Sequence, residues 1–218
     1  MLVEARKKDV YQQKSVESPP DVQGHNALNQ LKDGALWQLF KAGNRPSFIL
    51  IYDRYFDEMF VFAQQFTSDH DLIKDTIQDL FVKLFETRER LGNTDSIKFY
   101  LFKSLKHDLL RIVKHKIGNY FTFDENDAFQ FELPFEDTLL NQQTVEESKT
   151  EIRNAANSLK HRQREIIFYY FFEGFSFKQI KELMGMTSQQ SVHNLISKAI
   201  KNLRISLKSK RNDISFPG

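Results

Sequence analysis

The chain has 218 residues, of which 40% are hydrophobic, a net charge of +2 and no cysteine, a length that suits one or two small domains with packed cores. The longest apolar run, Ile166–Phe172, falls far short of the roughly 18 residues of a membrane-spanning helix, and the opening MLVEARKKDVYQQK has no apolar core for a secretory signal. Without cysteine there are no disulfides or thiolate metal sites, so a reducing cytoplasm with no membrane insertion is expected.

Residues 1–25 are polar, contain Pro19-Pro20 and show no periodicity, which predicts a disordered tail. Helical spacing begins at Leu28 and runs through Leu31, Ala35, Leu36 and Leu39 to about Ala42. Gly43-Asn44 interrupts it, and Pro46 suits the first turn of a second helix. That helix carries Phe48, Ile49, Tyr52, Tyr55, Phe56, Met59 and Ala63 as an aromatic-rich stripe, expected to be core. In a third helix, from His70 to about Leu91, the residues Ile73, Ile77, Leu80, Phe81 and Leu84 share one face. Asp75, Gln78, Asp79 and Val82 share the opposite one. The loop from Gly92 to Ser96 precedes a fourth helix, Ser96–Lys116, apolar at Phe99, Leu101, Phe102, Leu105, Leu109, Ile112 and Val113 and basic on its other side.

Residues 117–148 lack a period and read as a linker. Its aromatics, Phe121, Phe123, Phe129, Phe131 and Phe135, predict that it docks on a folded surface. Helical patterns resume from about Val145 to Leu207. The run IIFYYFF has strand propensity, but it lies between a helical pattern and the stop at Glu173-Gly174, which predicts helix.

Net charge conceals a division. Residues 160–211 hold eleven Lys and Arg against three acids, and 98–116 hold six against one, while 118–152 hold one Lys against nine acids. Two basic blocks bracket an acidic one, a pattern that suits a polyanionic partner and equally suits solvated surfaces.

Ser176 with Gln179 fits a capping box, and Thr187 with Gln190 fits a second. Between them Ile180, Leu183 and Met184 are expected to be buried, and Gly185 to close the first helix. Val192, Leu195, Ile196, Ala199 and Leu203 make the buried side of the second. Two capped helices across a short Gly turn form a helix-turn-helix signature. The start of its second helix would enter a DNA major groove with Gln189, Gln190, Ser191, His193, Asn194 and Ser197, while Lys198, Lys201 and Arg204 meet phosphate. A helical hairpin in a bundle shows the same pattern; the two caps and the basic block favour the DNA reader.

The stretches from Leu31 to Phe66, DLIKDTIQDLFVKLF and IKFYLFKSLKHDLLRIVK resemble the second conserved region of bacterial sigma factors. ANSLKHRQREIIFYYFFEGFSFKQIKELMGMTSQQSVHNLISKAIKNLR resembles their fourth. With those two regions alone, the chain resembles an extracytoplasmic-function (ECF) sigma factor of RNA polymerase. The resemblance implies an all-α protein of two small helical domains, 26–116 and 149–212, joined by the acidic linker 117–148. It implies transcription initiation with core RNA polymerase at promoter DNA, and no enzymatic activity. In the family the DxxQDxF helix binds the clamp helices of the β′ subunit, which implies that role for Asp75, Gln78 and Asp79; Phe81 reads as packing. The family captures an unstacked base of the minus-ten element. That implies pocket contacts from Asn93, Thr94, Asp95 and Ser96, with Lys98, Tyr100, Lys103, Lys106, His107 and Lys114 along the next helix. The family usually has Asn where His107 stands. The minus-thirty-five element falls to the helix beginning at Gln189, with Arg162, Arg164 and Phe171 facing the β flap or the DNA backbone. Family members are commonly held by an anti-sigma factor.

Three other classes are weighed against this one. A helix-turn-helix regulator without polymerase contact would bind its operator tightly alone and be unharmed by Asp79→Arg. A purely structural helical adaptor would leave the charge division and both capping boxes unexplained. An enzyme finds no support: there is no phosphate-binding glycine loop, no HxxxH pair and no Ser/His/Asp arrangement, so no catalytic residue, metal ligand or cofactor is expected.

Overall fold

The computed structural model describes residues 27–117, 129, 131 and 142–212. The tail 1–25 and most of the linker, including Phe121, Phe123 and Phe135, lie outside the described residues. The order is α1 (Asp33–Lys41), α2 (Arg45–Gln64), α3 (His70–Thr87) with a 3-10 turn (Arg88–Arg90), α4 (Ile97–Ile117), α5 (Gln142–Asn157), α6 (His161–Ile167) continuing into a π turn (Phe168–Phe172), α7 (Phe177–Leu183) and α8 (Gln189–Asn212). The fold is all-α, and there is no strand among the described residues. The run expected to be helix rather than strand is helical, with the wider π turn replacing its last part.

The described residues form two compact units, 27–60 with 74–105 and 61–73 with 106–212. In the first, residues 27–29 are helical as the spacing predicts, but the backbone turns at Gln30 and Leu31, so α1 is a separate helix that begins after Lys32 at its N-cap position. Its buried face is Leu36, Trp37 and Phe40 rather than one running through Ala35, which is exposed. Asn44 caps α2: its side chain accepts from Ser47 N at 2.9 Å, while Ser47 Oγ donates to Asn44 O at 2.7 Å. Tyr55, Met59 and Ala63 of the stripe expected on α2 are buried and Phe48, Tyr52 and Phe56 half-buried, whereas Ile49 faces solvent and Leu50 and Ile51 are buried in addition. From α3 the unit buries Ile77, Leu80, Phe81 and Leu84, and from α4 Ile97, Leu101, Phe102 and Leu105. Phe48 ties three helices together, with its ring 5.7 Å from Phe40, 6.1 Å from Phe81 and 5.1 Å from Phe85.

The second unit is built round an aromatic cluster. Phe62 meets Phe66, Phe168 and Tyr169, and Phe129 and Phe131 of the linker insert among these rings, each only 2% exposed. The docking expected of the linker is thus seen at these two positions. Ala155, Ala156 and Leu159 of α5 and its end, with Ile166 and Ile167 of α6, complete one side. Ile180, Leu183, Met184, Val192, Ile196 and Ala199 form the core under the last two helices.

Candidate nucleic-acid interface

Residues 177–204 fold as the helix-turn-helix the sequence indicates. Ser176 accepts from Gln179 N, and the Gln179 side chain accepts from Ser176 N at 2.8 Å, closing the expected capping box. At the other end Gly185 takes φ +60, Gly185 N donates to Glu182 O, and Met186 N donates to Lys181 O at 2.8 Å. That pair of bonds is a Schellman stop, which requires the left-handed backbone that glycine adopts cheaply. The second box differs from expectation by one position. Ser188, not Thr187, caps α8: its Oγ accepts from Ser191 N at 3.1 Å, and Ser191 Oγ returns a bond to Ser188 O at 2.6 Å. Serine replaces glutamine as the reciprocal partner because α8 begins at Gln189.

This start sets the orientation of α8. Val192, Ile196 and Ala199 are buried, so Gln189, Gln190, His193, Asn194, Ser197, Lys198, Lys201 and Arg204 are all exposed. Ser191 is half-buried and serves the cap. Gln190 Nε2 donates to Asn194 Oδ1 at 3.0 Å, joining two amides one turn apart. Arg162, Thr187, Ser191, Asn194 and Lys198 line one open groove beside the Gly185–Met186 turn. Arg162 also donates to Met184 O at 3.1 Å, satisfying a carbonyl at the end of α7.

In the first unit the loop before α4 is closely held. Thr94 Oγ1 donates to Ser96 O and accepts from Ser96 N, and Ser96 Oγ accepts from Phe99 N to cap α4. Asp33 of α1 accepts from Ile97 N at 2.8 Å, satisfying a second orphan donor of that helix. The two hydroxyls expected to line a pocket thus shape the loop, and Asn93 and Asp95 are its exposed side chains. Tyr100 is half-buried with its ring 5.0 Å from Trp37, and burial raises its phenol above the ordinary value of 10.0. Further along α4, Lys98 pairs with Glu58 at 2.9 Å, Lys103 and Lys114 are exposed, and His107 is 80% exposed beside Asp108. On α3, Asp75 and Asp79 are exposed, Gln78 is half-buried and Phe81 is buried, the division expected from the period.

Residues 155–204 match the family Sigma-70, region 4. The chain is 20% identical over 174 residues to the ECF RNA polymerase sigma factor SigX of Bacillus subtilis (strain 168), covering 77% of this chain and 87% of that protein. The fold of this chain is similar to that of CnrH, solved in complex with the cytosolic domain of CnrY, with a TM-score of 0.54 at 17% identity, over 85% of this chain and all of that one. The sigma factor RpoE, solved with the anti-sigma factor NepR from Bartonella quintana, aligns over 73% of this chain and 93% of that one at 20% identity, with a TM-score of 0.49.

No helix among the described residues is long and apolar enough to cross a membrane. One candidate site residue has an engagement that the sequence did not foreshadow. Lys106, expected to face minus-ten DNA, instead donates to Glu165 Oε1 at 2.6 Å and to Leu183 O at 3.0 Å. Tyr169 donates to the same carboxylate oxygen at 2.8 Å, and the Lys106 ammonium lies 5.3 Å from the Tyr169 ring centre. Burial, then the Glu165 carboxylate, holds the Tyr169 phenol well above 10.0. Lys106 and Glu165 are 59 residues apart, so neither charge counting nor periodicity on one helix reveals the pair.

Proposed function

We propose that this chain is an ECF sigma factor, a non-catalytic factor of transcription initiation that docks on core polymerase through α3 and reads two promoter elements through separate surfaces. Asp75, Gln78 and Asp79 contact the β′ clamp helices. Asn93 and Asp95, in a loop shaped by Thr94 and Ser96, receive an unstacked base of the minus-ten element; Lys98, Tyr100, Lys103, His107 and Lys114 follow along α4 for the strand. Lys106 stands apart, held by Glu165. Gln189, Gln190, Ser191, His193, Asn194 and Ser197 read the minus-thirty-five duplex, and Lys198, Lys201 and Arg204 meet its phosphates. Phe171, 56% exposed, faces the β flap. Unstacking a base costs a few kcal/mol, which binding at the loop and α4 must offset.

The observation that carries this reading is the sidedness of α8. Its first turns bury Val192 and Ile196 and expose a row of amides and hydroxyls, with cations further along. Amides bond bidentately to adenine edges, whereas lysines on phosphate bind any sequence. An anti-sigma factor is the regulatory partner that this reading implies, and CnrH, of similar fold, was solved with a protein partner.

Run-off transcription with core polymerase on a panel of minus-thirty-five variants tests the assignment. Gln190→Ala is expected to change base preference by ~1–3 kcal/mol per lost pair, and Lys198→Ala to weaken all promoters alike and reduce the salt slope by about one. If the two changes act identically across the panel, α8 is not the reader.

A further inference from the structure

The loop expected to capture the minus-ten base rests on α1, an element to which neither the sequence nor the family resemblance gave a role in recognition. Trp37, fully buried, donates its indole N–H to Gly92 O at 2.8 Å. Asp33 accepts from Ile97 N on the other side of the loop, and is itself steadied by the Tyr55 hydroxyl at 3.4 Å and the Arg54 guanidinium at 3.9 Å. Gly34 passes so close that a Cβ there would lie 3.5 Å from Asp95 Oδ1. Between these anchors, Gln38 Nε2 and Lys41 Nζ both donate to Asn93 Oδ1, at 2.9 and 3.1 Å.

The Lys41 contact decides which way the Asn93 amide faces. An ammonium has donors and no acceptor, so the atom turned toward it must be the amide oxygen. With that oxygen occupied by two donors, the remaining hydrogen-bonding edge of Asn93 is its NH2 group, which only donates. We propose that Gln38 and Lys41 are positioning residues that hold the Asn93 amide with its donor edge available, so that the loop selects a captured base by an acceptor on its edge. The inference rests on the reading of loop 92–96 as the minus-ten surface. It adds a polarity to that surface: a base that presents an exocyclic amine to Asn93 is rejected, because two donors would then face each other.

Three variants, assembled with core polymerase and assayed for open-complex formation on promoters carrying each of the four bases at the captured position, test it. Asn93→Asp keeps acceptor oxygens for Gln38 and Lys41 but removes the donor. It should fold with an unchanged or higher melting temperature, yet lose about fivefold in discrimination, the worth of one net hydrogen bond. Lys41→Met leaves the donor but lets the amide turn, and should lose a similar factor; Lys41→Arg, again a pure donor, should restore it. An Asn93→Asp protein with the parent base profile, or Lys41→Arg as impaired as Lys41→Met, overturns the proposal. Asn93→Ala with Asp95→Ala separates the two levels. If that pair leaves every promoter unaffected, the loop does not face the minus-ten element and the underlying reading falls. If it flattens base selection while Asn93→Asp does not, only the polarity proposed here falls.

Discussion

Replacing Glu165 by Ala is expected to destabilise the second unit by about 4 kcal/mol. Glu165 and Lys106 retain only 7% and 14% side-chain exposure, and their closest atoms are 2.6 Å apart. Removing one member of a buried pair typically costs ~3–5 kcal/mol, because the other charge is left without compensation. Lys106 would keep Leu183 O, and the long, flexible lysine stem can carry its head toward water, which returns part of the cost. Tyr169 would lose the acceptor of its buried hydroxyl, adding about 1–3 kcal/mol. With a urea slope of about 2 kcal/mol/M, the midpoint should fall by about 2 M. Far-UV circular dichroism follows the helices, and the fluorescence of Trp37, the only tryptophan and part of the first unit, provides an internal reference. The triple change Lys106→Met, Glu165→Met, Tyr169→Phe should return to within about 1 kcal/mol of the parent, since an apolar trio of similar volume replaces the network without orphans. A loss below about 1 kcal/mol for Glu165→Ala, or a triple variant as unstable as the single, would refute the network.

The phenol of Tyr169 adds a pH dependence. Its pKa is raised in the folded chain, so the stabilisation is complete below the ordinary value of 10.0 and is lost as pH rises from there toward the folded value. The stability difference between the parent and Tyr169→Phe should therefore narrow in urea titrations above pH 10.0, and a constant difference would contradict the assigned burial. On α3, Asp79→Arg should abolish co-purification with core polymerase while leaving the melting temperature within a few degrees, because Asp79 is exposed; a variant that still assembles would remove α3 from the polymerase interface.

Much of this fold is legible from local pattern. The helix period of α3 marks its buried face residue by residue, that of α4 marks Leu101, Phe102, Leu105 and Leu109 but leaves Phe99, Ile112 and Val113 half-buried, and Ser176, Gln179 and Gly185 announce the ends of α7 through chemistry confined to a few neighbours. The errors have a common origin in contacts made at long range. Trp37 and Phe40 are drawn inside because Gly92, Tyr100 and Phe48 lie across from them, which spacing within α1 does not reveal. Lys106 looks like any lysine on a basic face until Glu165 is placed beside it. The cap at Ser188 was displaced by one residue because Thr187 and Ser188 carry the same capping chemistry, and only the observed start of α8 separates them. Of the candidate interface, the exposed side of α8 is legible from its period apart from Ser191, which serves the cap, while the dependence of loop 92–96 on α1 is not.

The π turn at Phe168–Phe172 has a consequence for the surface it ends on. A π turn accommodates one more residue than the regular helix it interrupts, and here Phe168 and Tyr169 go to the interior while Tyr170, Phe171 and Phe172 emerge 37%, 56% and 40% exposed. Five successive rings thereby divide between two tasks, anchoring inside and display outside, without a break in the chain. Shortening this segment by one residue would restore ordinary pitch at little backbone cost, yet rotate everything that follows relative to what precedes. The widened coil therefore acts as a spacer, setting the azimuth at which the glycine-ended α7 and the amide-bearing α8 leave α6.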